Sequence, residues 1–315
     1  MNVVEKEPEQ GGRCPVSVVA TRGGEFAGVN GIPVTPFQDG GCVDHEALGT
    51  VVERMVAAGV DVIVACGNTS EYGSLTSAEA IAVAGSTIEA AGRCSSLVGI
   101  GGDVETAIQE ARAGVARGAS GIMVHYPADV YVSDAGLIEY YGRIVSAIEA
   151  PVVLYVRDRG LGGRVLENVL RFENVVAVKY ALPDLLGFAG FVREFGSDVV
   201  ALCGLAEMWA PFFWLLGAKG FTSGLVNVEP GLSLGLWTAL KSGDFKLALA
   251  YWEKIRPFEE LRARHRSGLN VSVVKAAMLL RGLLSDGTVR PPITDLDEAE
   301  LSEVKAVLSS WDAGA

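Results

Sequence analysis

A lysine closes the apolar run Val175-Val176-Ala177-Val178-Lys179, and its position there invites covalent chemistry. Burial disfavours an ammonium ion, so an amine at the end of a buried strand is held partly neutral and can attack a carbonyl carbon. The plainer reading is that the strand stops and Lys179 extends its stem into water. Other apolar runs end in residues that would suit such an amine. Tyr155 ends the run over 151–155, Gly67-Asn68-Thr69-Ser70-Glu71 follows the run over 60–65, and Thr35 ends the run over 31–35. Gly204 follows the run over 199–203, and Ser223-Gly224 close the run over 220–223. One amine ringed by hydroxyls, a phenol and backbone amides suits a 2-oxo acid. The amine attacks the ketone, Thr69 and neighbouring amides hold the carboxylate, and the phenol of Tyr155 moves protons. Taken singly, Tyr155 reads as a core tyrosine with a satisfied hydroxyl, and Asn68-Thr69-Ser70 as a polar turn that caps a helix.

Metal chemistry has little to work with. His45, His125 and His265 are scattered without ligand spacing, and no HExxH motif or acidic cluster accompanies them. His125 alone lies near the end of an apolar run and is expected to line the same pocket. Neither a metal nor an external cofactor is expected, and the glycines of the last two loops carry no lysine pattern of a phosphate-binding loop.

The elements that must position these groups follow from periodicity. Apolar runs over 31–35, 60–65, 96–100, 121–124, 151–155, 175–179, 199–203 and 220–223 make eight strand candidates. Helical spacing fills the intervals, as over 44–58, 77–91, 104–117 and 134–148. Asp44, Ser77 with Glu79, and Ser133 with Asp134 stand where a helix start wants an acceptor, and Gly59, Gly92 and Gly118 stand where helices end. Eight strands alternating with helices over about 190 residues have the count and length of a (β/α)8 barrel. A doubly wound open sheet is the alternative, though it more often carries a glycine fingerprint after its first strand.

In a barrel the C-terminal strand ends form the active-site face, which sorts the lysines. Lys179 falls at the mouth, Lys219 at the opposite end, and Lys275 in a helix as a surface or interhelix residue. Beyond Val228 the pattern is helical, over 232–242, 244–265, 271–284 and 297–311, with Pro291-Pro292 breaking the chain before the last. The expected organisation is a loose tail over 1–27, a catalytic barrel over 28–242 and a three-helix C-terminal extension over 243–315.

The formal charge of −12 repels a phosphate backbone, so nucleic acid is not an expected partner. The local exception, Arg262-Ala263-Arg264-His265-Arg266, reads as a solvated helix face or a subunit contact. The apolar segment 209–214 reads as core or subunit interface. Five cysteines without CxxC spacing fit a reducing compartment. No signal peptide or membrane-length apolar stretch is evident, so a cytoplasmic protein is expected and membrane association is not.

In order along the chain, these motifs resemble the dihydrodipicolinate synthase and N-acetylneuraminate lyase family of Schiff-base-forming barrels. Ile32-Pro33-Val34-Thr35-Pro36-Phe37 looks like its opening strand. Gly67-Asn68-Thr69-Ser70-Glu71 with Leu75-Thr76 looks like its GTTGE…LT carboxylate-binding loop. Leu154-Tyr155 and Val178-Lys179 match the strands of its catalytic tyrosine and Schiff-base lysine. The resemblance implies catalytic roles for Lys179, Tyr155 and Thr69. It further implies an imine on Lys179 in place of a cofactor and a homodimer or homotetramer.

Departures bear on the substrate. Asn68 replaces a proton-relaying threonine, and Tyr155-Val156-Arg157-Asp158-Arg159 replaces the synthase YNVPxRT. Arg157-Asp158 is closer to the YNRD of 5-dehydro-4-deoxyglucarate dehydratases, and 289–296 is similar to their C-terminal segment. The synthase's tyrosine pair after strand four has only Tyr126 or Tyr131 as counterparts. The expected activity is therefore a sugar-acid dehydratase or aldolase acting on a 2-oxo acid. Asn68, Ser70, Thr35, Gly204, Ser223, Gly224 and Arg157 would bind substrate, with Arg157 either gripping its distal end or bridging Asp158. The alternatives are authentic dihydrodipicolinate synthesis from pyruvate and aspartate semialdehyde, or a non-catalytic 2-oxo-acid sensor.

Overall fold

Short apolar runs with little polar alternation form strands buried on both faces, and eight of them close a parallel barrel in the computed structural model, in the order β1 to β8 with β8 paired back to β1. The structure describes residues 22–38, 41–129 and 131–313. The strands are β1 (Gly28–Gly31), β2 (Val62–Ala65), β3 (Ser95–Ile100), β4 (Gly121–Val124), β5 (Val152–Val156), β6 (Val175–Tyr180), β7 (Val200–Cys203) and β8 (Gly220–Ser223). The outer layer is α1 (His45–Ala58), α2 (Ser77–Ala91), α3 (Val104–Ala116), α4 (Asp134–Ser146), α5 (Arg164–Val169), α6 (Leu185–Phe195), α7 (Ala206–Leu215) and α8 (Pro230–Ser242). The fold is a (β/α)8 TIM barrel followed by C-terminal helices α9 (Phe245–Ser267), α10 (Asn270–Leu280) and α11 (Glu298–Ala313).

Alternation along the strands divides the core in two. Val62, Val64, Leu97, Met123, Val153, Ala177, Val200 and Leu202 fill the inside of the barrel, and Phe26 is packed among them. Phe26 is fully buried and Arg22 bridges to Val199, so packed structure starts ahead of Gly28. The larger outer cluster joins the opposite strand faces to the helices.

Local signals explain the helix starts. Asp44 caps α1 by accepting from the Ala47 amide, Asp103 caps α3, and Ser133 caps α4. The cap of α2 is Thr76 rather than Ser77, and it forms a reciprocal capping box with Glu79. Gly59 ends α1 in the left-handed conformation, as expected for a residue without a Cβ.

The first strand differs from expectation. It is Gly28–Gly31, whereas residues 32–35 lie in the loop beyond it. Pro33 has no amide hydrogen to give a ladder, while the glycine-rich segment before it is held by β2 on one side and β8 on the other. The segment over 209–214 lies within α7: Ala210 and Phe213 are buried, and Phe212 is exposed.

The extension reaches back over the barrel mouth. After Arg264, three successive residues, His265, Arg266 and Ser267, take left-handed backbone conformations and turn the chain into α10. Arg264 pairs with Glu303 through both guanidinium ends, and His265 lies 3.4 Å from Glu300, so this turn is tied to α11.

Lys275 is fully buried, not a surface residue, and its ammonium lies 2.5 Å from Glu71 Oε1 and donates to the Thr288 carbonyl. Glu71 Oε2 accepts the Arg290 amide, so one carboxylate ties the loop after β2 to both α10 and the chain beyond it. Removing one member of a buried ion pair strands the other charge. Lys275→Met is expected to cost about 3–5 kcal/mol in urea unfolding. Adding Glu71→Gln should recover part of that loss. Equal stability of wild type and Lys275→Met would show that the pair does not tie the elements together.

Candidate active site

Lys179 sits near the end of β6, where the pleat turns its side chain into the barrel, and Tyr155 is its register partner on β5. The lysine Nζ lies 4.3 Å from the centre of the tyrosine ring. Both side chains are buried, with exposures of 3% and 5%. Among the described residues Lys179 makes no ion pair. Burial therefore acts almost unopposed and lowers its pKa to about 7, with Arg157 pushing the same way and Cys203 pulling back. That opposition is weak at neutral pH, because burial lifts the Cys203 thiol to about 12 and keeps it uncharged. Gly204 makes room for the lysine stem: a Cβ there would stand 2.6 Å from the Ala181 Cβ and 3.0 Å from Lys179 Cγ.

Burial also raises the Tyr155 pKa, so its oxygen carries a proton. The Asn68 side-chain amide donates to that oxygen at 3.0 Å. Its hydroxyl hydrogen has no acceptor among the described residues and is free for a ligand. The loop holding Asn68 is fixed from outside the cavity. Ser70 donates its hydroxyl to the Pro33 carbonyl at 2.7 Å, Thr35 donates to the Ser70 carbonyl at 2.6 Å, and Glu71 is held by Lys275. Thr69, 3% exposed, faces the cavity, and its amide has no acceptor among the described residues.

His125 does not line the cavity, contrary to the sequence expectation. It stacks on Tyr72 at 4.8 Å and meets the Tyr155 ring edge-on at 5.6 Å. Its Nε2 donates to the Cys66 carbonyl, and burial drops its pKa to about 4, so it stays neutral and supports the tyrosine. Tyr131 is 93% exposed and Tyr126 lies off the cavity, so within one chain neither substitutes for the second tyrosine of a synthase.

The cavity at the barrel mouth has a volume of about 640 Å³. Lys179, Tyr155, Asn68, Thr69, Arg157, Gly204 and Gly224 all line it. Thr35, Ser70 and Ser223 do not; their hydroxyls already have protein acceptors, so they brace the site instead of facing a ligand. Ser223 and Ser233 both donate to Glu207 Oε1 at 2.5 Å, and burial raises the pKa of that carboxyl. Arg157 lines the cavity without an ion-pair partner among the described residues, while Asp158 accepts the Gly160 amide.

Several lining residues escaped the sequence reading. Arg262, Glu259 and Asn270 come from α9 and α10, and Pro292 and Ile293 from the chain beyond them. Arg262 is 6% exposed and paired with the equally buried Glu259, so it is neither a solvated face nor an external contact. Glu259, one helical turn before it, was the available signal in the sequence. Among the described residues no group of three His, Cys, Asp or Glu side chains could hold a metal ion, and no helix is long and apolar enough to cross a membrane.

Comparison with known proteins agrees with this arrangement. The model of the dihydrodipicolinate synthetase family matches residues 25–311. A Bacillus subtilis protein named "Probable 5-dehydro-4-deoxyglucarate dehydratase" is 29% identical over 288 residues, covering 90% of this chain and 93% of that one. A 4-hydroxy-tetrahydrodipicolinate synthase of Methanosphaerula palustris is 31% identical, covering 91% of this chain and 100% of that one. The crystal structure of dihydrodipicolinate synthase from Oceanobacillus iheyensis superposes with a TM-score of 0.89 at 38% identity, covering 92% of this chain and 99% of that one. With nearly its whole described length matched in sequence and in fold, the chain belongs to the dihydrodipicolinate synthetase family, a family of lyases.

Proposed function

We propose that Lys179 forms an imine with a 2-oxo acid and that the enzyme eliminates water from a sugar acid, as the name of the Bacillus subtilis relative describes. The observation that carries this reading is a buried amine without a counter-ion among the described residues, beside a phenol, in a cavity of about 640 Å³. The neutral amine adds to the ketone carbon while Tyr155 relays a proton from nitrogen to oxygen. Protonation of the carbinolamine hydroxyl by Tyr155 releases water and leaves an iminium beside a phenolate. The phenolate takes a proton from the adjacent carbon, giving a neutral enamine. That enamine expels the hydroxyl on the following carbon, which leaves as water with the Tyr155 proton. Hydrolysis of the conjugated iminium frees Lys179.

The Asn68 amide favours elimination over condensation. It steadies the tyrosine oxygen by donating to it, but an amide does not pass protons to solvent. In elimination none need pass, because the proton taken from carbon departs with the leaving hydroxyl. Arg157, a cation lining the cavity without an ion-pair partner among the described residues, suits a second carboxylate at the far end of the substrate.

Three outcomes test the reading. Borohydride with pyruvate should leave one reduced adduct, mapped by peptide mass to Lys179 and absent from Lys179→Met. Its trapping rate should fall about tenfold per unit as pH drops below about 7, because the ammonium then replaces the reactive amine. An adduct elsewhere, or a flat profile from pH 5 to 8, rejects the role of Lys179. Tyr155→Phe should lower kcat roughly a hundred- to ten-thousandfold with little change in KM, and unchanged kcat would remove the phenol from the mechanism. Among substrates, 5-dehydro-4-deoxyglucarate should be consumed faster than pyruvate is condensed with aspartate semialdehyde. The reverse order would identify a synthase, and trapping without any turnover a sensor.

A further inference from the structure

Arg262 is a buried cation supplied to the barrel mouth by the C-terminal extension. Its Nε and Nη2 both donate to Asn270 Oδ1, at 3.0 and 2.5 Å, and its Nη1 donates to Glu259. A guanidinium carries five N–H groups, so these bonds leave one donor on each terminal nitrogen. The Nη2 end of the guanidinium packs against Gly224. A Cβ built on Gly224 would stand 2.3 Å from Arg262 Nη2 and 3.3 Å from Thr69 Oγ1. The missing side chain therefore leaves room for the guanidinium itself, which packs against Gly224 near the threonine hydroxyl, and both residues line the cavity that holds Lys179.

The geometry points to Arg262 as a substrate-binding residue that, together with Thr69, grips the carboxylate adjacent to the ketone. This rests on the imine reading of Lys179, which places a 2-oxo acid in the cavity. Glu259 and Asn270 hold the guanidinium in one orientation, so little rotamer freedom remains to be lost when the carboxylate arrives. The extension thus completes the specificity of a site whose covalent chemistry belongs to the barrel. Neutral carbonyl compounds that fit the cavity offer the guanidinium no charge-assisted hydrogen bond from a carboxylate.

The test compares pyruvate with pyruvamide, its uncharged analogue, as concentration-dependent probes of borohydride trapping. Wild type should favour pyruvate, and Arg262→Gln should raise the pyruvate half-saturation about ten- to hundredfold while moving that of pyruvamide less than about twofold. Because Arg262→Gln strands a buried Glu259, the double variant Arg262→Gln with Glu259→Gln is measured alongside and should show the same loss of preference. A structural role alone would weaken both probes equally and overturn the proposal. A second readout leaves out the imine: calorimetric titration of Lys179→Met with lactate, with and without Arg262→Gln. Loss of lactate affinity on adding Arg262→Gln supports the grip, and unchanged affinity overturns it. Failure of wild type to form an adduct at Lys179 would count against the imine reading, while the lactate titration would still decide the role of Arg262.

Discussion

The structure depends on keeping one ammonium ion from being either solvated or paired. Transferring a lysine out of water disfavours its charged form, and the molecule answers this differently at the two lysines buried among the described residues. Lys275 is fully buried against Glu71 and keeps a counter-charge at 2.5 Å. Lys179 is buried over a phenol ring, and its pKa falls to about 7. Similar burial gives one lysine that holds the frame and one amine suited to attack. What separates them is whether a carboxylate was placed within reach. A carboxylate near Lys179 would hold it as an ammonium and remove its nucleophilicity.

Much of the remaining architecture keeps that difference in place. The loop that offers Asn68 and Thr69 to the cavity has its other polar groups engaged outside it, with Ser70 on Pro33, Thr35 on Ser70 and Glu71 on Lys275 and Arg290. Arg290 in turn pairs with Glu79 and lies over the Phe37 ring at 4.3 Å, as Lys275 does at 4.2 Å. The C-terminal helices therefore act as a brace as well as a cover. By filling the space around the loop, they fix its conformation before any ligand enters, which is the condition for precise donors to be useful.

The barrel, and the end of it that carries the candidate site, were legible because both rest on local signals. β-branched runs mark the strands, and chain direction alone sends Lys179, Tyr155 and the loop over 67–71 to the same end. The first strand was misread because residues 32–35 look more strand-like than Gly28–Gly31. What decides is pairing on both edges, which no local propensity contains. The surface alternative for Lys275 and the reading of Arg262 failed for a related reason. A single charged residue in a helix is usually solvated, and only the tertiary arrival of Glu71 at one, and of Asn270 beside Glu259 at the other, makes burial tolerable. Thr35, Ser70 and Ser223 were assigned to the correct end of the barrel, but sequence cannot tell a hydroxyl facing the cavity from one that has turned to a backbone carbonyl or a glutamate.

The substitution that most separates this site from a synthase is a matter of proton routing. A threonine hydroxyl beside the tyrosine can accept and donate at once, and so extend a relay. The Asn68 side-chain amide approaches the tyrosine as a donor only, and its nitrogen has no basic lone pair to receive the phenol proton. A condensing enzyme must move protons in and out of its site over a cycle, so a broken relay burdens it. An eliminating enzyme returns through its leaving water the proton it drew from carbon, and the same closed phenol becomes an advantage, since the proton stays where the next step uses it. The residue that at first argues against activity is then consistent with a different reaction on the same imine.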